Sequence, residues 1–568
     1  MVSHLKIKIS LITIISFFLL PAISQADILG QSQNFFIDSS YDFRSREEVT
    51  AVLKKISQQA YFFVEEKWYQ NLTDGEKEKV NQSLDFLAQE FDNVIYPKIT
   101  ALFGEEWRPG IDKDYRITVL FHQMKEGAQG YFNSGNEYLK VQNPKSNERE
   151  MVHLNSQTLL LDTAKIFLAH ELVHLITFNQ KERLRGVEEE VWLNEARAEL
   201  APTFLGYDQE AKFNNLSQRI KIFVENPNDS LTEWQGKSQD YGVVNVFFQY
   251  LLERYGKWIL TNSLKSSKVG IPSLNEALKN QGFKEDLAQV FQDWVIAIYL
   301  NNCDFGKNYC YQNESLKNLR ILPSLIYLPP TEKTEFSLNY SISQWSGNWY
   351  KIIGGGGEKL KINFQGDKRV NFKIIYILCQ DNKSCQINNF LLSDEQKGEM
   401  LFDGFGKKFT SLTLIPLIQD KISGFGEKEP TFSFSLSAFI AQANFEKAIE
   451  ELKIKIEELK KQIAFYQEKI NQILNQKQKI SCQKIESDLF FGMTNNSQVR
   501  CLQEFLKIKE PELYPQGLVT GNFFNLTLQA VIRFQEKYAS EILTPSGLQK
   551  GTGYVGSATR NKINQLLF

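Results

Sequence analysis

Along this chain the spacing of apolar residues changes period repeatedly. A stretch patterned for a helix does not also settle as a strand, so these changes divide the chain before any motif is read. From about Asp42 to Phe103 the spacing predicts helices, as in VTAVLKKISQQAYFFVEEKW and VNQSLDFLAQEFDNVIYPKITALF. RITVLFHQM (116–124), GYFNSGNEY (130–138) and REMVHLNS (149–156) are short, partly alternating, β-branched or aromatic runs split by Gly and Asn, which predicts three strands of a small sheet. Helical spacing returns with TLLLDTAKIFLAHELVHLITF and persists, with breaks, to about Asn302. Between about Thr331 and Ile440 short β runs such as NWYKII, VNFKIIYIL and FSFSLSAFI, divided by turn clusters such as GGGG (354–357), predict a sandwich.

Beyond the sandwich, Phe445, Ile449, Leu452, Ile456, Leu459, Ile463, Tyr466, Ile470 and Ile473 alternate steps of four and three, an a/d heptad seam. A helix carrying it serves as a rigid spacer or as a coiled coil that pairs two copies through 445–473. The residues after about 481 form a small module whose halves echo each other: GNFFNLTLQAV (521–531) and GYVGSATRNKI (553–563) both place Gly six residues before Thr.

The formal net charge is −2, from 65 basic and 67 acidic side chains, so no global field recruits nucleic acid or an anionic membrane. The N-terminus places Lys6 and Lys8 before an apolar run from Ile9 to Leu20 and small residues at Ser24 and Ala26, the pattern of a secretory signal peptide over 1–26. The expected location is therefore secreted or extracellular. The cysteines fall as sequence-local couples, Cys303 with Cys310, Cys379 with Cys385 and Cys482 with Cys501. In an exported chain that pattern predicts three disulfides.

Residues 170–174 read His-Glu-x-x-His inside an apolar helical run. Two histidines four apart on a helix project from one face, so both ring nitrogens reach a single ion. Glu171, one step round the helix, sits beside a metal-bound water without ligating the metal, the arrangement for metal-assisted hydrolysis. A catalytic zinc needs a third protein ligand and an open position. VEEEVWLNEARAEL (187–200) offers Glu195 on a second helical segment, with Glu199 one turn further on.

His-Glu-x-x-His followed by W-L-N-E-x-x-A-E resembles the gluzincin metallopeptidases, the class of thermolysin, and within it the secreted peptidase-MA-like and hyicolysin-like bacterial branch. The resemblance implies one zinc ion held by His170, His174 and Glu195, with Glu171 as general base and Glu199 as the carboxylate that orients a ligand histidine. QDYGVVNVFFQYLLERYG (239–256) is similar to the helix that follows the ligands in that branch. With histidine nearly exhausted, Tyr241 at its start is the candidate donor to the oxyanion, and a packing or capping role is its alternative. Gluzincins hold extended substrate against an edge strand, a role that carries over to Gly130, Tyr131 and Phe132.

CQKIESDLFFGMTNNSQVRCLQEFLKI, with V-T-G-x-F at 519–523, resembles the small three-helix peptidoglycan-binding-like domain of bacterial wall enzymes, departing from it at Phe524, where glycine is usual. The expected fold class is multidomain α+β. A mostly helical catalytic region with a small sheet spans 27–330, an all-β sandwich 331–440, a coiled-coil helix 441–480 and the three-helix domain 481–568. The expected function is a secreted zinc endopeptidase acting on polypeptide. A peptidoglycan endopeptidase and a catalytically silent wall-binding protein are the alternatives, and residues 481–568 are the candidate contact with peptidoglycan.

Overall fold

The computed structural model describes residues 26–209, 215–329, 333–356, 358–381, 383–420, 428–441, 445–477, 480 and 482–567. The signal peptide expected over 1–26 falls outside them except for its last residue. The chain divides into two compact units, Met1–Ala448 and Ile449–Phe568. Strands and helices mix throughout the first, and no helix among the described residues is long and apolar enough to cross a membrane.

The first unit opens on a six-stranded sheet of order β1-β2-β3-β4-β6-β5. Its strands are β1 (Ser32–Phe36), β2 (Glu48–Ile56), β3 (Ala60–Glu65), β4 (Ile117–His122), β5 (Gly130–Phe132) and β6 (Met151–Asn155). β2 and β3 overturn the helix expected over VTAVLKKISQQAYFFVEEKW. Val49, Leu53, Ile56 and Ala60 fit a helical period, but Val49, Ala51 and Leu53 also alternate inward, and β3 is buried from end to end. Its β-branched and aromatic residues lie between β2 and β4 with both faces covered, and that environment favours the strand over helix spacing. The expected helices do form over Asp74–Glu90 and Tyr96–Phe103. GYFNSGNEY is strand only over Gly130–Phe132, then turns through Ser134–Glu137.

Helix Ala164–Phe178 crosses the sheet with nearly every residue buried. Past Lys165, and away from the edge that carries His170, Glu171 and His174, it is apolar, as suits a helix inside a core rather than at its surface. Helices Val191–Glu199, Asn215–Glu225, Ser238–Tyr255, Trp258–Leu264, Gly270–Asn280 and Leu287–Leu300 follow it in the region.

Two further sheets face each other as a sandwich. One has the order β13-β10-β15-β8, the other β12-β11-β14-β9-β7. Their strands are β7 (Ser324–Leu328), β8 (Lys333–Ser343), β9 (Tyr350–Gly354), β10 (Glu358–Gly366), β11 (Phe372–Cys379), β12 (Cys385–Phe390), β13 (Lys397–Phe405), β14 (Ser411–Ile418) and β15 (Thr431–Ala441). The sandwich begins before residue 331, because β7 pairs in parallel with β9. It also shares a core with the helical region: Trp345, Trp349, Ile375, Ile377, Ile415 and Leu417 join the cluster that contains Leu172, Trp192 and Trp294. β14, SLTLIPLI, is buried at every position because it has a core on each face.

In the second unit, helices Ser497–Lys509, Asn525–Lys537 and Ser557–Leu567 surround a core of their own. The echo in the sequence is a duplicated hydrogen-bond motif. Gln503 accepts from the Gly521 N–H at 2.8 Å and donates to Thr527 Oγ1 at 2.9 Å. Gln535 accepts from the Gly553 N–H at 2.8 Å and donates to Thr559 Oγ1 at 3.0 Å. Gly521 and Gly553 both have φ in the left-handed region, at +79° and +73°. Phe524 has φ −109°, which any residue adopts, so the missing glycine leaves the turn intact. All three disulfides pair as couples in sequence order, Cys303–Cys310, Cys379–Cys385 and Cys482–Cys501.

Candidate metal centre

His170 and His174 lie one turn apart on helix Ala164–Phe178, and Glu195 reaches them from helix Val191–Glu199. The three side-chain edges are 3.1 Å between the two Nε2 atoms, 3.3 Å from His170 Nε2 to Glu195 Oε2, and 3.7 Å from His174 Nε2 to Glu195 Oε1. A tetrahedral zinc with bonds of ~2.0–2.2 Å needs ligand atoms roughly 3.3–3.5 Å apart. The observed edges bracket that spacing. Glu195 Oε2 is buried yet meets no hydrogen-bond geometry, as expected of atoms aimed at a shared point rather than at one another.

A polar group stands beside the outer nitrogen of each ring. His174 Nδ1 lies 3.1 Å from Asn194 Oδ1, so a proton on Nδ1 leaves the Nε2 lone pair facing the cluster. His170 Nδ1 lies 3.8 Å from Glu199 Oε1. Glu199 is itself gripped by Arg219, whose Nε and Nη2 donate to its two oxygens at 2.7 and 2.8 Å. Burial opposes charge on His174, yet the neighbouring Glu195 pushes it up to about 9. The same pairing overcomes burial at Glu195 and holds that carboxyl far below its ordinary range.

Glu171 is buried beside the cluster, and its Oε2 accepts no hydrogen bond. Burial pushes its carboxyl above the ordinary range. Gly130 makes room for it: a Cβ there would lie 2.9 Å from Glu171 Oε1, 2.8 Å from Leu154 Cδ2 and 3.0 Å from the His153 carbonyl oxygen. β5 is the edge of its sheet and pairs with β6 alone, so its outer edge is unpaired by any described strand.

Tyr241 stands in the same cleft, a space of about 590 Å³ lined also by Tyr41, Tyr131, Phe132, Arg219 and Trp234. Its ring packs on Trp234 at 4.7 Å and under the Arg219 guanidinium at 4.7 Å. Burial and the nearby Glu195 and Glu199 raise its phenol, so it remains a proton donor. Asp240 Oδ2 accepts from the Gln235 and Lys237 N–H groups at 2.8 and 2.9 Å and fixes the loop that presents Tyr241. Arg219, Trp234 and Tyr41 were not singled out by sequence. Asn194 belongs to the W-L-N-E run, beside Glu195.

His122 and His153 are fully buried in β4 and β6 and take no part in the cluster. Tyr131 stacks between Tyr41 at 4.5 Å and His153 at 4.3 Å. A second cavity, about 610 Å³ beside Phe86, Asp162 and Lys165, contains none of the clustered metal-ligating side chains.

The helix carrying Glu195 is anchored by a buried ion network. Glu189 Oε2 lies 2.8 Å from Arg197 Nη1 and 3.4 Å from Lys181 Nζ, while Lys181 also donates to the Ser263 and Lys268 carbonyls at 2.7 and 2.6 Å. Glu189→Gln leaves two buried cations without their counter-charge, so urea unfolding should show a loss of about 3–5 kcal/mol.

After β5 the chain buries Glu137 against Glu150. Burial, then the charge of Glu150, raises Glu137, and burial pushes Glu150 up to about 7. The folded chain thus keeps protons that an unfolded chain releases near 4.5, so this pair costs stability as pH rises from about 4.5 to about 7. Glu137→Gln is expected to raise the Tm by several degrees at pH 8 and to change it little at pH 4.5, as measured by calorimetry at the two values.

No family model and no curated protein matches the chain. Among solved structures it is similar to the pre-peptidase C-terminal domain of collagenase from Bacillus anthracis, at 12% identity over 21% of this chain and 94% of that one, TM-score 0.16. It is similar also to the M60 catalytic domain with the CBM51-1 and CBM51-2 domains from Clostridium perfringens ZmpB, at 9% identity over 69% of this chain, TM-score 0.26. The chain spans 60% of that structure's length. A family GH115 4-O-methyl-α-glucuronidase follows, at 8% identity over 58% of this chain and 52% of that one, TM-score 0.13. Likenesses this distant carry no weight for fold or chemistry.

Proposed function

We propose that this chain is a secreted zinc-dependent endopeptidase of gluzincin type that hydrolyses peptide bonds in extracellular protein, associated with a bacterial cell wall. The observation that carries the reading is the convergence of the two imidazoles and the Glu195 carboxylate, with His170 and His174 Nε2 3.1 Å apart, Glu195 Oε2 3.3 Å from His170 Nε2 and Oε1 3.7 Å from His174 Nε2, spacings that suit one tetrahedral ion. Bound there, zinc would acidify a water and polarise the scissile carbonyl.

The remaining steps belong to the chain. β5 holds an extended substrate by main-chain hydrogen bonds along its free edge. Glu171, with its carboxyl raised by burial, takes the proton from the attacking water and delivers it to the leaving amine. The protonated Tyr241 donates to the oxygen on which negative charge develops. Glu199, held by Arg219, orients His170, and Asn194 orients His174. Support for export comes from the N-terminal Lys-apolar-small pattern and from the three disulfides. Support for wall association rests on the resemblance of residues 481–568.

Zymography on casein and on purified wall, with and without a chelator, tests the reading. Expected are clearing of casein, loss of clearing in chelator, recovery with zinc, and one zinc per chain by elemental analysis. Clearing of wall alone would favour the peptidoglycan endopeptidase instead. A folded chain that binds no zinc would remove the hydrolase reading.

A further inference from the structure

Helix Phe445–Lys477 carries an apolar seam that nothing in the described structure covers. Ile449, Ile456, Leu459, Ile463, Tyr466 and Ile470 are between 37% and 59% exposed. In heptad terms Ile449, Ile456, Ile463 and Ile470 are at a, while Leu452, Leu459, Tyr466 and Ile473 are at d, a pattern that over 449–466 favours a two-stranded coil. A single helix with so bare a stripe gains its stability by burying it against a partner.

The flanks of the seam decide which partner. Between 449 and 470 the e positions are Lys453, Lys460 and Gln467, and the g positions are Lys455, Gln462 and Lys469. No acid stands at either. The acids of this stretch, Glu450, Glu451, Glu457, Glu458 and Glu468, lie at b, c and f, positions away from the seam, and Glu446, before it, is the one acid of the helix at e; ion pairs within the helix join Lys453 with Glu450 at 3.6 Å and Lys460 with Glu457 at 2.7 Å. Such exposed pairs neutralise little.

Within that segment a second copy of this chain would therefore meet Lys or Gln with Lys or Gln across the interface. A parallel pair faces Lys455 with Lys460, and an antiparallel pair sets e against e and g against g. Within 449–470 neither makes an attractive charge contact, so over that stretch two copies gain nothing from charge. An anionic membrane suits the helix less well: the seam is a narrow a/d stripe, and Lys and Glu nearly balance along the helix.

We infer that helix Phe445–Lys477 is the basic half of a heterotypic two-stranded coiled coil. Its partner is a helix of another protein with an apolar a/d seam and Glu or Asp at e and g. The chain is thereby tethered to that protein rather than to a second copy of itself.

The test uses the whole chain and a charge-reversed copy carrying Lys453→Glu, Lys455→Glu, Lys460→Glu and Lys469→Glu, each alone and mixed, by sedimentation velocity at low salt. Each alone should be monomeric and the mixture should pair one to one, on the order of 100-fold more tightly than either self-associates, with the preference shrinking as salt is raised. A second variant with the same lysines changed to Gln should self-associate more than the wild type, which keeps the test open should the reversed copy fold poorly. Wild-type self-association as tight as the mixture, or a mixture that stays monomeric, overturns the inference. So does cosedimentation of the wild type with phosphatidylglycerol vesicles that requires the seam, which would identify a lipid surface as the occupant.

Discussion

Replacing Glu171 with glutamine is expected to cut kcat by about 10²–10⁴-fold, the usual worth of a positioned general acid–base, while zinc content and KM stay close to wild type. The substitution keeps the side chain's shape in a site where Oε2 accepts no hydrogen bond and the residue is buried, so little packing is disturbed. What disappears is the capacity to take a proton from water and return it to the amine. The measurement is kcat and KM on a fluorogenic peptide together with zinc per chain. Retention of more than about a tenth of wild-type kcat would mean that another group moves the proton, because no lesser role of this carboxylate requires charge. Loss of zinc along with activity would instead point to Glu171 as part of the ligand set.

The centre of this site was legible because its geometry is local. His170, Glu171 and His174 share one helix, and a fixed four-residue step places both imidazoles together whatever surrounds them. Glu195 was legible by its place on a second helical segment soon after the first. Arg219 was not, because the helix Asn215–Glu225 returns to the site only through tertiary packing, and nothing in SQRIKIFVE marks which cation faces inward.

The fold shows the same division. Strand and helix periods coincide at Val49 and Leu53, so only the β-branched and aromatic run AYFFVE could have tipped the choice towards β3. The shared core between sandwich and helices did leave a signal. From Leu414 to Ile418 β14 reads LIPLI, apolar on both faces, whereas a sandwich sheet with one face in water alternates with polar residues.

Gly130→Ala is expected to reach the same proton-transfer step from the other side. The added methyl would lie 2.9 Å from Glu171 Oε1, 2.8 Å from Leu154 Cδ2 and 3.0 Å from the His153 carbonyl. The carbonyl belongs to β6 and is fixed by pairing with β5, and Leu154 is wholly buried in the core, so Glu171 is the neighbour with most freedom to yield. A carboxylate displaced by even part of an ångström loses alignment with its water, and misplacement on that scale costs up to about 10²-fold. Because β5 keeps its main-chain groups, substrate affinity should hold: kcat falls by roughly 10–100-fold, KM changes less than about threefold, and zinc stays at one per chain. The double variant Gly130→Ala with Glu171→Gln makes the coupling measurable. If Gly130 acts through Glu171, alanine costs little more once the carboxylate is gone. Equal losses in both backgrounds would place the effect in the strand itself, and a rise in KM with unchanged kcat would mean that the methyl obstructs substrate rather than the base.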